Sequence, residues 1–230
     1  MSSSLIASLR SAIREFGVRD GIGYLVDRLL MVRLRWGGLA RYILTAQPIP
    51  DDPLPLRPGK LSFQELKPGD PRLRDLPLSD KVLDFRFGQN AVCIAAIEND
   101  RAVACIWFCF GHYDEDMVRC RYVLEPEQET AWDFDVYVAP EHRMGRTFAR
   151  LWAAANEYLR ARGVRWSLSR ISGYNPASFN SHKRLGARVI GRASFLRIGN
   201  WQLMWSNRAP YLHLSRKAQP RLRVRAPKSP

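Results

Sequence analysis

Two short stretches of this sequence hold polar residues at spacings that chemistry could use. The first is the turn Ala139-Pro140-Glu141-His142-Arg143-Met144-Gly145-Arg146-Thr147, which follows the strand-like run Trp132–Val138 and precedes a helical pattern. Where a strand turns into a helix, the first helical N–H groups lack intrahelical partners and point the same way. The helix dipole adds positive potential there. Such a turn can seat a pyrophosphate, and Arg143 and Arg146 either reinforce it or are solvated charges. The second stretch runs from Asn175 to Gly186. Asn175 can cap a helix, Pro176 suits its first position, and Gly186 can take the left-handed conformation beyond its end. Ser178 and His182, four apart, share one helix face, turned either into a cleft or onto solvent. Upstream, Asp133 and Asp135 alternate onto one face of their strand.

These residues need elements to hold them. Leu61–Leu66 reads as a strand, and Asp80–Phe87 is ambiguous. Ala91–Glu98 and Ala102–Gly111 form a hairpin about Asn99-Asp100, and Val118–Leu124 is a half-exposed strand. Met144–Arg162 is the clearest helix, with Phe148, Leu151, Trp152, Ala155 and Leu159 on one face and Gly163 just past its end. Val164–Ser169 returns to strand, Pro176–Leu185 is a short helix, and Arg188–Gly191 and Ser194–Trp205 are strands. Ahead of all this, residues 1–46 read as a basic helical extension of two amphipathic helices. Leu5, Ile6, Leu9, Ile13 and Phe16 mark one, and Ile22, Leu25, Val26, Leu29 and Leu30 the other. They either pack on the domain or lie on a membrane surface, with Arg28, Arg33, Arg35 and Arg41 about the second apolar face. A Pro-rich linker at 47–60 leads into a domain spanning 61–206. A basic tail, 207–230, is expected to be extended or disordered.

The net charge of +14 sits mostly at the ends. Residues 1–50 hold seven Arg against three acids and 208–230 hold seven Lys or Arg against none, which leaves only +3 for the middle. The ends suit an anionic membrane surface or an acidic carrier protein, and nucleic acid is the less expected partner. The hydrophobic content of 46% and charged content of 25% are ordinary for a globular chain. Cys93, Cys105, Cys109 and Cys120 lie in apolar runs without metal-ligand spacing, so they read as reduced core thiols. No apolar run reaches the ~18 residues of a membrane span. Arg10, Arg14 and Arg19 interrupt any signal-peptide core. The expected location is the cytoplasm, peripheral at the inner membrane face if the basic ends bind lipid.

The segments VYVAPEHRMGRTFARLW and NPASFNSHKRLGARVIG together resemble the acetyl-CoA-binding region of the GNAT acyltransferases. That family has a strand ending V-x-P, then R-x-x-G-x-G/A opening a helix. Later it has N-x-x-S/A, and a shorter helix closed by Tyr-x-x-Leu-Gly-Phe. Counted from Arg143, the family's two glycines fall on Arg146 and Phe148, with Gly145 beside them. The resemblance implies an α/β fold with a mixed, mostly antiparallel central sheet flanked by helices. It implies direct transfer of an acyl group, acetyl by default, from CoA to a small-molecule or lipid-linked amine in a ternary complex, without metal. It also implies that backbone at Val136 and Val138 pairs with the pantetheine arm, and that Arg143, Met144, Gly145, Arg146 and Thr147 hold the pyrophosphate. Asn175 and Ser178 would touch the arm near its thiol. His182 stands where the family often has a tyrosine that protonates the leaving thiolate, and it is either that acid or a packing residue. Tyr174 is the next donor.

The attacking amine must lose a proton, and Asp133 or Asp135 could accept it directly or through water. Asp135 is preferred, as the nearer to the strand's end; the alternative is that one of them pairs with Arg119 or Arg121. A covalent cysteine route is disfavoured, because no Cys lies near this region. Two other readings stand beside the first. One is a long-chain N-acyltransferase fed by acyl-CoA or acyl carrier protein, with Trp107, Phe108 and Phe110 lining either an acyl tunnel or the core. The other is a non-catalytic binding module of GNAT fold.

Overall fold

A computed structural model of the chain describes residues 18, 21–27, 37–52 and 59–228. The expected helix at 5–16, the arginines 28, 33 and 35, and positions 53–58 of the expected linker lie outside the described residues. In chain order the strands are β1 (Gly37–Pro48), β2 (Ser62–Leu66), β3 (Val92–Glu98), β4 (Arg101–Phe110), β5 (His112–Asp114) and β6 (Arg121–Glu125). They continue with β7 (Thr130–Val138), β8 (Trp166–Ser172), β9 (Arg188–Ile198), β10 (Trp201–Ser206), β11 (Leu212–Ser215) and β12 (Arg221–Arg225). The helices are α1 (Asp80–Gly88), α2 (Thr147–Arg160) and α3 (Pro176–Arg184), and residues 21–27 are also helical. The result is a mixed α/β fold with a large, mostly antiparallel sheet and flanking helices, as the sequence predicts.

The described chain divides into two units. One is built chiefly from Pro48–Tyr113 and Leu124–Leu168, and carries the strand order β8-β7-β4-β3-β2. Its β3–β4 hairpin turns at Asn99 and Asp100, both at positive φ (50° and 60°), the geometry of a two-residue turn that these side chains tolerate. Neighbouring aromatics on β4 point to opposite faces. Trp107 meets Phe87 of α1 edge-on at 5.2 Å, while Phe108 meets Trp152 of α2 at 6.5 Å. The sheet is therefore sandwiched between the two helices, and Trp107, Phe108 and Trp152 are buried. α2 begins at Thr147 rather than Met144, because Pro140–His142 forms a separate 3-10 turn.

The other unit takes the described residues up to Gln47, Asp114–Val123 and Ser169–Pro227, with strand order β11-β10-β9-β1-β8. Its β8 residues are Ser169–Ser172, the same strand having given Trp166–Leu168 to the first-described unit. Here the structure corrects one expectation and decides another. Residues 37–46 are not part of a helical extension. They form β1, antiparallel to β9 from Gly37↔Ile198 to Ala46↔Arg188, and Tyr42–Gln47 are all buried. The tail from residue 207 takes the extended form of the two expected, not the disordered one. It forms β11, paired with β10, and β12, which joins β6 and β5 in a small sheet and buries Leu222 and Val224. All four cysteines are buried and free. No described helix is long and apolar enough to cross a membrane.

Candidate functional site

In the unit that holds β7, the strand carries a β-bulge. Trp107 of β4 pairs with Phe134 and Cys105 with Tyr137, so β7 spends one extra residue opposite Ile106. Asp135 lies in the bulge at φ +49°. The bulge breaks the alternation on which the shared face of Asp133 and Asp135 depended, and the two carboxylates part company. Asp133 is 3% exposed and accepts a hydrogen bond from Ser167 Oγ at 2.5 Å. Asp135 is half-exposed and accepts from Arg86 Nη2 at 2.5 Å. Neither expected partner takes them up: Arg121 donates twice to Asp114, and Arg119 donates to the carbonyls of Asn200 and Ser215. In the same unit the parallel ladder from β7 to β8 spans Thr130↔Trp166 to Trp132↔Leu168, while β7 runs on to Val138.

After β7 the chain makes tight turns, with N–H groups of His142, Arg143 and Gly145 donating to the carbonyls of Ala139, Pro140 and His142. Arg143 folds back, its Nε donating to Val138 O at 3.0 Å. α2 then starts without a side-chain cap and without an acid in its first turn; its N-cap residue is Arg146. An uncapped positive helix end flanked by two arginines is electrostatically unfavourable alone and is relieved by an anion. A Cβ placed on Gly145 would meet nothing nearer than His142 O at 3.6 Å, so the protein's own packing does not demand glycine there. That leaves room for a ligand to approach the backbone, and Met144 beside it is 98% exposed. These residues fit a pyrophosphate.

In the other unit, α3 is built as its sequence predicts. Asn175 Oδ1 accepts from Ser178 N at 3.0 Å, Pro176 opens the helix, and Gly186 sits at φ +85°. N–H groups of Gly186 and Ala187 donate to the carbonyls of Lys183 and His182, closing a Schellman motif. His182 is buried and Ser178 half-buried, so their shared face turns inward rather than to solvent. Tyr174 donates its hydroxyl to Leu39 O at 3.0 Å and meets the Tyr24 ring at 5.7 Å, which commits the fallback proton donor to structure.

Two cations, one buried and one half-buried, escaped the sequence reading. Arg86, 6% exposed, lies 4.9 Å over the Trp107 ring and 5.5 Å from that of Phe134, and holds Asp135. Arg170 donates to both carboxylate oxygens of Glu115 (2.9 and 2.6 Å) above the Tyr42 ring. Burial pushes the Glu115 carboxyl above its ordinary range, against the pull of Arg170. The only sequence signal for either was an arginine beside apolar residues, Phe85 and Phe87 about Arg86 and Ile171 after Arg170. Among the described residues, no group of three or more His, Cys, Asp or Glu is placed to hold a metal ion.

Comparison with solved structures places this architecture. The tandem GNAT protein from the clavulanic acid biosynthesis pathway is 17% identical, with 70% of this chain covered and a TM-score of 0.50. A GNAT-family acetyltransferase from Novosphingobium aromaticivorans is 15% identical over 70% of this chain, with a TM-score of 0.48. AAC(6')-Iy, solved with a CoA-linked bisubstrate analogue, is 16% identical over 56% of this chain and 90% of its own, with a TM-score of 0.43. This chain spans 54% of the first of these proteins and 65% of the second. No family model and no curated protein matches the sequence. The chain has the fold of the GNAT acyltransferases.

Proposed function

We propose that this protein is an acyl-CoA-dependent N-acyltransferase, acetyl by default, acting by direct attack of an amine on the thioester. The observation that carries the proposal is a bulged strand leading through a tight turn into an uncapped, arginine-flanked helix start. Backbone at Val136 and Val138 is the proposed rail for the pantetheine arm, and N–H groups from Arg143 to Thr147 the proposed pyrophosphate seat, those of Arg143 and Gly145 having first to leave the carbonyls of Pro140 and His142. Val138 O already accepts from Arg143, so the arm would share that carbonyl's second lone pair or displace the arginine. As the new C–N bond forms and the C–S bond breaks, the amine's proton must leave and the thiolate must gain one. Asp135 is the proposed acceptor, because Asp133 is buried against Ser167. His182 is the proposed donor, and Asn175 and Ser178 are proposed neighbours of the arm.

The acceptor is a small-molecule or lipid-linked amine. The long-chain alternative gains no support from Trp107 and Phe108, which are packed as core. Thermal stabilisation by a panel of acyl-CoAs tests the reading, since ligand at 100 times its Kd adds ~2.7 kcal/mol. Arg143→Ala with Arg146→Ala should weaken CoA about 10- to 100-fold and leave pantetheine fragments nearly unaffected. Equal losses for both ligands would remove the pyrophosphate seat from the proposal.

A further inference from the structure

Among the described residues, the unit containing β9, β10 and β11 carries an apolar face that its packing leaves open. Across the strands, Ile198 stands opposite Trp201, Leu196 opposite Leu203 and Leu203 opposite Leu214, and Trp205 opposite Leu212. Alternation puts these side chains on one face. The exposures are those of surface residues: Leu212 68%, Leu214 61%, Ile198 47% and Trp201 44%, with Tyr211 at 68% just before β11. β11 ends the strand order, so among the described residues its outer edge is unpaired as well. Five large apolar side chains this exposed, gathered in one region, mark a surface built to meet something.

The charge says what. After Glu157 the chain has no Asp or Glu, yet 16 of its 36 Lys and Arg lie there. Residues 1–157 therefore hold 20 cations against 22 acids, a net −2, and residues 158–230 hold +16. Arg216 lies over the Trp201 ring at 4.6 Å, Lys217 follows it, and Arg192 continues the same alternation on β9. All three, with Arg208, are exposed.

We propose that this β9–β10–β11 face docks on an anionic lipid bilayer. Leucine, isoleucine and aromatic side chains would enter the headgroup boundary, while the arginines and Lys217 meet lipid phosphates. The combination selects against the other occupants. A nucleic-acid backbone satisfies the cations but gives Leu212, Leu214 and Ile198 nothing to bury against. A second copy docked through the same patch brings one basic surface against another. The inference goes beyond the acyltransferase reading and does not rest on it, because the test below needs no turnover.

The test is sedimentation of the full chain with vesicles of phosphatidylcholine alone and of phosphatidylcholine mixed with phosphatidylglycerol. Binding is expected only to the mixed vesicles, and to fall as salt rises. Leu212→Glu with Leu214→Glu should reduce it at least about tenfold, and Arg216→Ala with Lys217→Ala several-fold, both at unchanged melting temperature. If the leucine pair perturbs folding, Trp201→Ser carries the same expectation. Three outcomes overturn the proposal: no preference for anionic vesicles, binding that survives every one of these variants and so belongs elsewhere in the chain, or a dimer in solution that the leucine variant converts to monomer.

Discussion

At the scale of single residues, Asp135 and Arg86 define each other. A left-handed aspartate in a bulge turns one carboxylate oxygen toward a guanidinium laid over Trp107, while the side chain stays half-exposed. Asp135→Ala should cost about 2–3 kcal/mol in denaturant unfolding, because it strands a buried cation. Arg86→Met in the same chain should recover most of that loss. An additive double variant would mean that the two side chains do not depend on one another. His182 makes a different kind of claim. As the proposed proton donor, His182→Ala should lower kcat on the order of 10²-fold with little change in the acyl donor's KM, since the interaction matters only as charge develops on sulfur. His182→Tyr should restore part of the rate and move the optimum upward, a phenol staying protonated to about pH 10. Unchanged kcat in the alanine variant would return His182 to packing.

Elements differed in how openly the sequence announced them. α3 was legible in full, because its signals are local. Asn175, Pro176 and Gly186 each act through their own backbone, and each stands where its chemistry predicts. Asn175→Ala should therefore cost about 1 kcal/mol, read as a lower melting temperature, with the loss confined to the helix. The Asn99-Asp100 hairpin was legible for the same reason. β1 was not. Its run from Tyr42 to Ala46 is buried on both faces, so it shows no period-2 alternation, and a continuous apolar run does not distinguish a core strand from a helix. α1 hid its function, because its one decisive contact, Arg86 to Asp135, joins residues 49 positions apart. The β7 bulge hid as well. Counting alternate residues put Asp133 and Asp135 together, and nothing local reveals that β7 carries one residue more than its partner β4.

For the whole molecule, the basic C-terminal segment is the part whose meaning changed most. Its charge suggested a solvated appendage, but Leu222 and Val224 are wholly buried between exposed Arg221, Arg223 and Arg225. Leu222→Ala should destabilise the protein by about 2–4 kcal/mol in chemical denaturation, whereas Arg223→Ala, on the exposed side of the strand, should shift it by less than about 0.5 kcal/mol. Equal effects would mean that the strand is not held by its apolar side. The position of β1 bears on how the chain is made as well as how it is held. β1 lies between β9 and the later part of β8, with Gly173 N–H donating to Arg41 O at 2.7 Å. From Pro48 to Ser169, where the part of β8 beside β1 begins, is a step of 121 positions along the chain. At roughly 5–20 residues per second, a nascent β1 waits about 6–24 seconds on the ribosome before its first neighbour is translated, and longer for β9. Through that interval a strand rich in Tyr, Ile and Leu has no sheet to enter, which makes this unit the last to close and the segment a natural client for a chaperone during synthesis.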